Sequence, residues 1–151
     1  MVRAAMFFLI LLVPGLAISG ERISGTNTYV IHQDTWNMPN LTYWRQDNIG
    51  TFSVKEGPLD PGFVRCIGAG FGGPTGVSGG GICIFGSGDD TFTWSWERHK
   101  SGPNTWKVVD ATGKYSGMTG KGTSRTRADS QHLKMPQRIS DWTGEIEMPK
   151  K

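Results

Sequence analysis

The sequence predicts an all-β domain, either a closed barrel or a sandwich of two sheets. Short runs rich in Tyr, Trp, Phe, Val, Ile and Thr recur between glycine, proline and asparagine positions, and no ten-residue stretch holds a capped apolar period of 3.6 residues. Glycine is frequent, at 22 of 151 residues, and 11% of the residues are aromatic. These observations favour eight or nine short strands around an aromatic core.

Residues 1–19 have the pattern of an export signal. Arg3 precedes an apolar run over residues 4–13, and a small residue, Ala17, stands near the end of the segment. The apolar run is about half of the roughly 20 residues that a membrane-spanning helix needs. We therefore expect residues 1–19 to be cleaved as a signal peptide and residues 20–151 to form a single domain. The mature protein is then secreted or periplasmic and does not span a membrane.

Nine candidate strands follow along the mature chain. They cover residues 26–32, 41–46, 51–55, 62–67, 81–85, 91–99, 105–110, 120–127 and 139–148. Most begin or end at glycine, proline or asparagine, which terminate strands because of their backbone preferences. Almost no helix is expected.

One strand shows which side faces the core. In residues 91–99, the aromatic side chains of Phe92, Trp94 and Trp96 occupy alternate positions. The intervening side chains are polar, so the aromatic side is predicted to face the interior. These three residues are the candidate ligand-binding residues, because large aromatics on one wall can line a cavity for a small apolar molecule.

Residues 68–88 contain the densest group of glycines, ten in 21 positions. Glycine offers no side chain to pack and loses much entropy on ordering, so this segment is predicted to be a long mobile hairpin loop. Residues 68–73 match a glycine-rich dinucleotide pattern, but the following residues cannot form the helix that would hold a pyrophosphate. A nucleotide cofactor is therefore not expected.

The two cysteines, Cys66 and Cys83, lie in apolar strand-like runs. In an oxidising compartment such a pair is expected to form a disulfide, which would stabilise the fold by about 3 kcal/mol through loop closure. Two buried free thiols are the alternative. A metal site is not expected, since no histidine pair stands near the cysteines.

No catalytic group is readable from the sequence, which favours a protein without enzymatic activity. His32, His99 and His132 lie in different predicted elements, and none is near a nucleophile motif. The net charge is only +3. Nucleic acid is therefore not an expected partner.

A family resemblance comes from residues 106–122, WKVVDATGKYSGMTGKG. This segment resembles allene oxide cyclase-like and dirigent-like barrels, in which Gly-Thr-Gly-Lys-aromatic is followed by a further glycine and then by Thr-Gly-x-Gly. Together with the acidic turn and tryptophan strand at residues 88–94, it is similar to small secreted bacterial members of unassigned function. The chain departs from the pattern at Ala111, where the families have glycine.

The resemblance implies an eight-stranded antiparallel barrel whose interior is filled or holds one small ligand. A β-sandwich is the alternative. It also implies a structural glycine corner, in which glycines with positive φ reverse the chain around Tyr115. The members of this corner are Gly113, Gly117, Gly120 and Gly122. The catalytic residues of the cyclases have no counterparts that can be placed on this chain.

Three functions follow from these observations. The first is an exported, non-enzymatic barrel that binds a small apolar molecule in its lumen. The second is a cyclase or isomerase like the allene oxide cyclases, for which a polar group inside an apolar lumen would be evidence. The third is a protein-interaction module that uses the glycine-rich loop at residues 68–81. The ligand and the oligomeric state are left open.

Overall fold

The computed structural model describes residues 20–130 and 134–149. The predicted signal peptide and His132 lie outside these residues. The elements in chain order are β1 (Glu21–Val30), β2 (Gln33–Met38), β3 (Leu41–Glu56), β4 (Gly62–Gly73), β5 (Gly76–Ser87), β6 (Asp90–Arg98), β7 (Asn104–Ala111), a 3-10 turn (Gly113–Tyr115), β8 (Thr119–Asp129) and β9 (Gln137–Glu147).

The strands form one antiparallel sheet that closes into a barrel. Their order is β1-β9-β8-β7-β6-β5-β4-β3-β2, and a further pairing of β1 with β3 closes the circle. The closing pairs run from Ser24 opposite Glu56 to Val30 opposite Ile49. Eight strands thus make the barrel, and β2 is an additional strand on the first half of β3. The prediction of an all-β, eight-stranded antiparallel barrel is confirmed, and the sandwich alternative is wrong.

Two local predictions were wrong. Residues 41–56 form one continuous strand instead of two, and residues 68–88 form the paired ends of β4 and β5 instead of a mobile loop. The two strands are joined by a short turn at Pro74 and Thr75. A glycine-rich strand is stable here because aromatic side chains from neighbouring strands cover it.

The inward-facing glycines leave the space that the tryptophan side chains occupy. A Cβ atom on Gly70 would lie 2.5 Å from Cζ2 of Trp44, and a Cβ atom on Gly122 would lie 2.6 Å from Cε2 of Trp106. Each indole therefore packs against backbone where another residue would project a side chain. The same contact joins Gly79 to Trp44, Gly68 to Trp96, Gly144 to Trp106 and Gly25 to Trp142.

One end of the barrel, the packed end, carries the connections β3–β4, β5–β6 and β7–β8. Its interior is filled by rings: Phe85 and Phe92 are stacked at 4.9 Å, and Phe52 meets Phe85 edge-on at 5.2 Å. Tyr115 covers this end, and its hydroxyl accepts a hydrogen bond from the backbone N–H of Asp60 at 3.0 Å. Leu59 and Met118 are also buried there. This end leaves no room for a ligand.

The middle of the barrel contains the disulfide. Cys66 on β4 lies directly opposite Cys83 on β5, and their sulfur atoms are bonded. Both side chains are buried. The predicted disulfide is confirmed.

The predicted glycine corner divides into two kinds of position. Gly113 and Gly117 have φ values of +57° and +85°, which favour glycine because a Cβ atom would be strained there. Gly120 and Gly122 lie in β8 and are absent from the positive-φ glycines of the described chain. They are needed for close approach: a Cβ atom on Gly120 would lie 2.6 Å from the carbonyl oxygen of Glu145.

No helix within residues 20–130 and 134–149 has both the length and the apolar character required to cross a bilayer.

Candidate functional site

A small cavity lies in the lumen at the other end of the barrel, the cavity end, which carries the β4–β5, β6–β7 and β8–β9 connections. Its volume is about 70 Å³. Every barrel strand contributes to its wall, because the inward positions of each strand point to a common centre. The wall combines aromatic and polar side chains, unlike the packed end.

The aromatic part of the wall consists of tryptophans. Trp44 from β3 and Trp96 from β6 reach over the glycines of β4 and β5 from opposite sides. Their planes differ by only 10° and their ring centroids are 6.4 Å apart. Below them, Trp94 stacks on Trp106 at 4.0 Å and meets Trp142 edge-on at 5.4 Å. The cavity thus has flat aromatic surfaces.

A chain of hydrogen bonds fixes one polar side of the wall. The indole N–H of Trp142 donates to Oδ1 of Asn27 at 2.9 Å, and Nδ2 of Asn27 donates to the Tyr29 hydroxyl at 2.5 Å. The Tyr29 hydroxyl in turn lies 3.2 Å from Sγ of Cys66, to which it can donate. Burial raises the pKa of Tyr29 well above its usual range, so the phenol stays protonated.

Four buried polar atoms in this wall have no hydrogen-bond partner among the residues that the structure describes. They are Oδ1 of Asn48 and the indole nitrogens of Trp44, Trp94 and Trp96. Asn48 is 1% exposed. A buried polar group without a partner destabilises the folded state by about 1–3 kcal/mol, so such groups are rare in native proteins and need an explanation.

Two arginines complete the wall. Arg138 is buried; its Nε donates to Asp129 at 2.9 Å and its Nη1 donates to Oε1 of Gln46 at 3.0 Å. Arg98 lies at the rim, at the end of β6. Partial burial and the positive charge of Arg138 lower the pKa of Arg98, while the charge of Asp129 opposes this shift.

The three candidate ligand-binding residues separate in the structure. Trp94 and Trp96 line the cavity. Phe92 does not line it, because this ring is 1% exposed and lies at the packed end between Phe85 and Tyr115.

Sequence reasoning missed the polar half of the wall. Arg98 and Arg138 are on the inward positions of β6 and β9, two and four residues from Trp96 and Trp142. Extending the alternation two residues after Trp96 and four residues before Trp142 would have placed both arginines inward. Asn48 was missed because residues 41–56 were not recognised as one strand.

The two histidines that the structure describes are not part of this site. His32 and His99 do not line the cavity, and His99 is exposed and hydrogen-bonded to Thr105. In the portion of the chain that the structure describes, no three His, Cys, Asp or Glu side chains are grouped so that they could hold a metal ion.

Comparison with known proteins shows a structural similarity. No protein-family model and no curated protein sequence matches this chain. Among solved structures, the chain is similar to the pterocarpan synthase dirigent protein, with a TM-score of 0.54 and 11% sequence identity. The match covers 95% of this chain and 100% of that chain. At this identity the similarity shows the fold alone, which is a dirigent-like barrel.

Proposed function

We propose that this chain is an exported, non-enzymatic barrel that binds a small molecule in its cavity end. The observation that carries this proposal is the group of four unpartnered polar atoms in a wall of otherwise well-packed tryptophans. A ligand with oxygen atoms would give these groups hydrogen-bond partners and so recover part of the free energy that their burial costs.

The interior supports an amphipathic ligand more strongly than a purely apolar one. The packed end is filled by Phe52, Phe85 and Phe92, so a long acyl chain has no space there. The cavity of about 70 Å³ accommodates a small headgroup or part of one ring. The remainder of a larger ligand would extend past the rim at Arg98.

The disulfide supports the exported part of the proposal. Cys66 and Cys83 are the protein's two cysteines, and they are joined. Disulfides persist in secreted and periplasmic proteins and are rare in the reducing cytosol.

Two measurements on the oxidised mature protein test ligand binding. Native mass spectrometry of protein purified from its own source should detect a retained small molecule. A thermal-shift and tryptophan-fluorescence screen of small amphipathic compounds should give saturable stabilisation, because a ligand that binds only the folded state raises its stability.

A pair of tryptophan variants locates the binding site. Trp96→Ala removes part of the cavity wall, whereas Trp36→Ala removes an indole that is 49% exposed on β2, outside the barrel. We expect ligand-induced stabilisation to be weakened by the first variant and retained by the second. No retained molecule and no response to any compound would contradict the proposal.

A second candidate function is the guidance of a cyclisation or isomerisation, as in the cyclases that the sequence resembles. The observation that favours it is the buried polar group formed by Asn27, Tyr29 and Asn48 inside an aromatic cavity. The described lining offers no carboxylate or imidazole to act as a base, which favours binding over proton abstraction. The test is the spontaneous cyclisation of an allene oxide: an excess of one product enantiomer that Tyr29→Phe abolishes would support catalytic guidance.

A further inference from the structure

The two guanidinium groups at the cavity end have unequal partners. Arg138 is neutralised by Asp129, whose Oδ2 lies 2.9 Å from both Nε and Nη2. Arg98 is exposed at the end of β6, and its guanidinium makes no side-chain hydrogen bond or ion pair with any residue in the described ranges. One positive charge at the rim therefore lacks a protein counter-ion there.

The surroundings of Arg98 are electrostatically unfavourable for a cation. The described cavity wall includes both arginines and no acidic side chain, and Asp129 already contacts Arg138. Partial burial and then the charge of Arg138 lower the pKa of Arg98, and the charge of Asp129 offsets this only in part. An anion at this point would be attracted by both guanidinium groups and would relieve their repulsion.

The shape of the wall next to Arg98 restricts the kind of molecule that can carry the anionic group. Trp96 precedes Arg98 by two residues on the same inward side of β6, so the two side chains line the same part of the cavity wall. Trp44 is nearly parallel to Trp96, at an angle of 10°. Nearly parallel indoles beside glycine backbone offer flat aromatic faces on which a planar conjugated group can stack. The unpartnered atoms of the wall are mainly donors, three indole N–H groups, which suits an oxygen-rich ligand.

We propose that the cavity end selects a small planar carboxylate, whose conjugated part stacks on Trp44 and Trp96 and whose carboxylate contacts Arg98. This inference rests on the proposed binding function and specifies its ligand class. The carboxylate supplies the counter-ion that Arg98 lacks, and the ring or double bonds occupy the flat aromatic surface. A neutral molecule of the same shape would satisfy only the second requirement.

The experiment uses trans-cinnamate as the probe and trans-cinnamamide as its neutral counterpart. The two are nearly the same size and planar, so a difference in affinity reports on charge. Isothermal titration calorimetry on the oxidised mature protein should show that cinnamate binds at least about tenfold more tightly than cinnamamide, as expected for a hydrogen bond to a charged group.

Three arginine variants test the assignment to Arg98. We expect Arg98→Gln to reduce cinnamate affinity about tenfold and to leave cinnamamide affinity unchanged, and Arg98→Lys to restore part of the loss. Arg22→Gln is the matched control, because Arg22 is exposed near the start of β1, at the packed end and away from Arg98. Its removal should change cinnamate affinity less than twofold.

The outcomes separate this inference from the function on which it rests. Equal affinity for the two probes, or no effect of Arg98→Gln where Trp96→Ala weakens binding, would overturn the carboxylate assignment and leave a neutral-ligand barrel. Binding of other small molecules but of neither probe would also overturn it. If no small molecule binds at all, the proposed function itself is wrong.

Discussion

The two ends of the barrel are built from the same strands but differ in how completely their polar and apolar groups are matched. At the packed end, Phe52, Phe85 and Phe92 touch one another, and the hydroxyl of Tyr115 has a backbone donor. At the cavity end, four buried polar atoms lack partners and Arg98 lacks a counter-ion among the described residues. The unmatched groups at the cavity end therefore mark the site available for a ligand.

The largest expected effect is at the packed end. Phe85→Ala removes a side chain that is 1% exposed and contacts three other rings. We expect a loss of about 3–5 kcal/mol in the free energy of unfolding, because burial is lost and a cavity remains. Urea unfolding of the oxidised protein measures it. Trp96→Ala should cost less, since this side chain is only partly buried and borders a void; the opposite order would contradict the distinction between the two ends.

The disulfide lies between the two ends, and its loss should have the second-largest effect on stability. Cys83→Ser removes a bond between residues 17 positions apart in the chain. We expect the free energy of unfolding to fall by about 2–5 kcal/mol, as is usual for small secreted domains. Chemical reduction of the wild type should produce a similar loss. Two reactive thiols in the denatured, unreduced wild-type protein would contradict the bond.

The contact between glycine and indole recurs around the cavity wall and can be tested on β8. A Cβ atom on Gly122 would overlap the carbonyl oxygen of Thr143 and the ring of Trp106. We expect Gly122→Ala to lower the free energy of unfolding by about 1–3 kcal/mol, because the indole or the strand must shift. Gly72→Ala is the matched control, since the nearest atom to its Cβ, Cγ2 of Val77, would be at an ordinary 3.7 Å. Equal losses would show that overlap with the indole is not the reason for glycine at position 122.

The packed end was more predictable from the sequence than the cavity end, and the reason is physical. The inward direction of Phe92 follows from alternation within one strand, which is a local property. The residues 68–81 could not be assigned to strands because their stability depends on Trp44 and Trp96, which come from other strands. The residues next to a glycine in the sequence do not indicate which aromatic ring from another strand will cover it.

The polar part of the cavity wall was also not predictable from the sequence of any single segment. Asn48, Arg98 and Arg138 come from β3, β6 and β9 and meet only after the barrel closes. Each has an ordinary surface interpretation in its own segment. Alternation could have indicated that Arg98 and Arg138 face inward, but the missing counter-ion of Arg98 depends on Asp129 being taken by Arg138, which is a three-dimensional fact.

The smallest expected effect concerns the outer surface of the wall at the cavity end. Asp141 on β9 accepts a hydrogen bond from the Thr26 hydroxyl at 2.7 Å and another from Nε of Arg127 at 2.9 Å. The first bond is the main reason that the pKa of Asp141 lies below its ordinary value, and the second contributes. Both bonds are lost on unfolding, so the carboxylate form favours the folded state.

The sign of the pH dependence follows from this lowered pKa. The contribution of Asp141 is fully present above its unfolded pKa of about 4 and is lost as the pH falls through the lower, folded value. Because the Asp141 side chain is 41% exposed, solvent screens the contribution to about 1 kcal/mol or less. We expect Asp141→Asn to lower the free energy of unfolding slightly at pH 7 and to flatten its decline between about pH 4 and pH 2, measured by urea unfolding across that range. Asp110→Asn is the control, since Asp110 is an exposed carboxylate on β7. If the decline below pH 4 is as steep in the Asp141 variant as in the wild type, the outer hydrogen bonds contribute nothing, and the difference between the two ends of the barrel arises entirely inside the lumen.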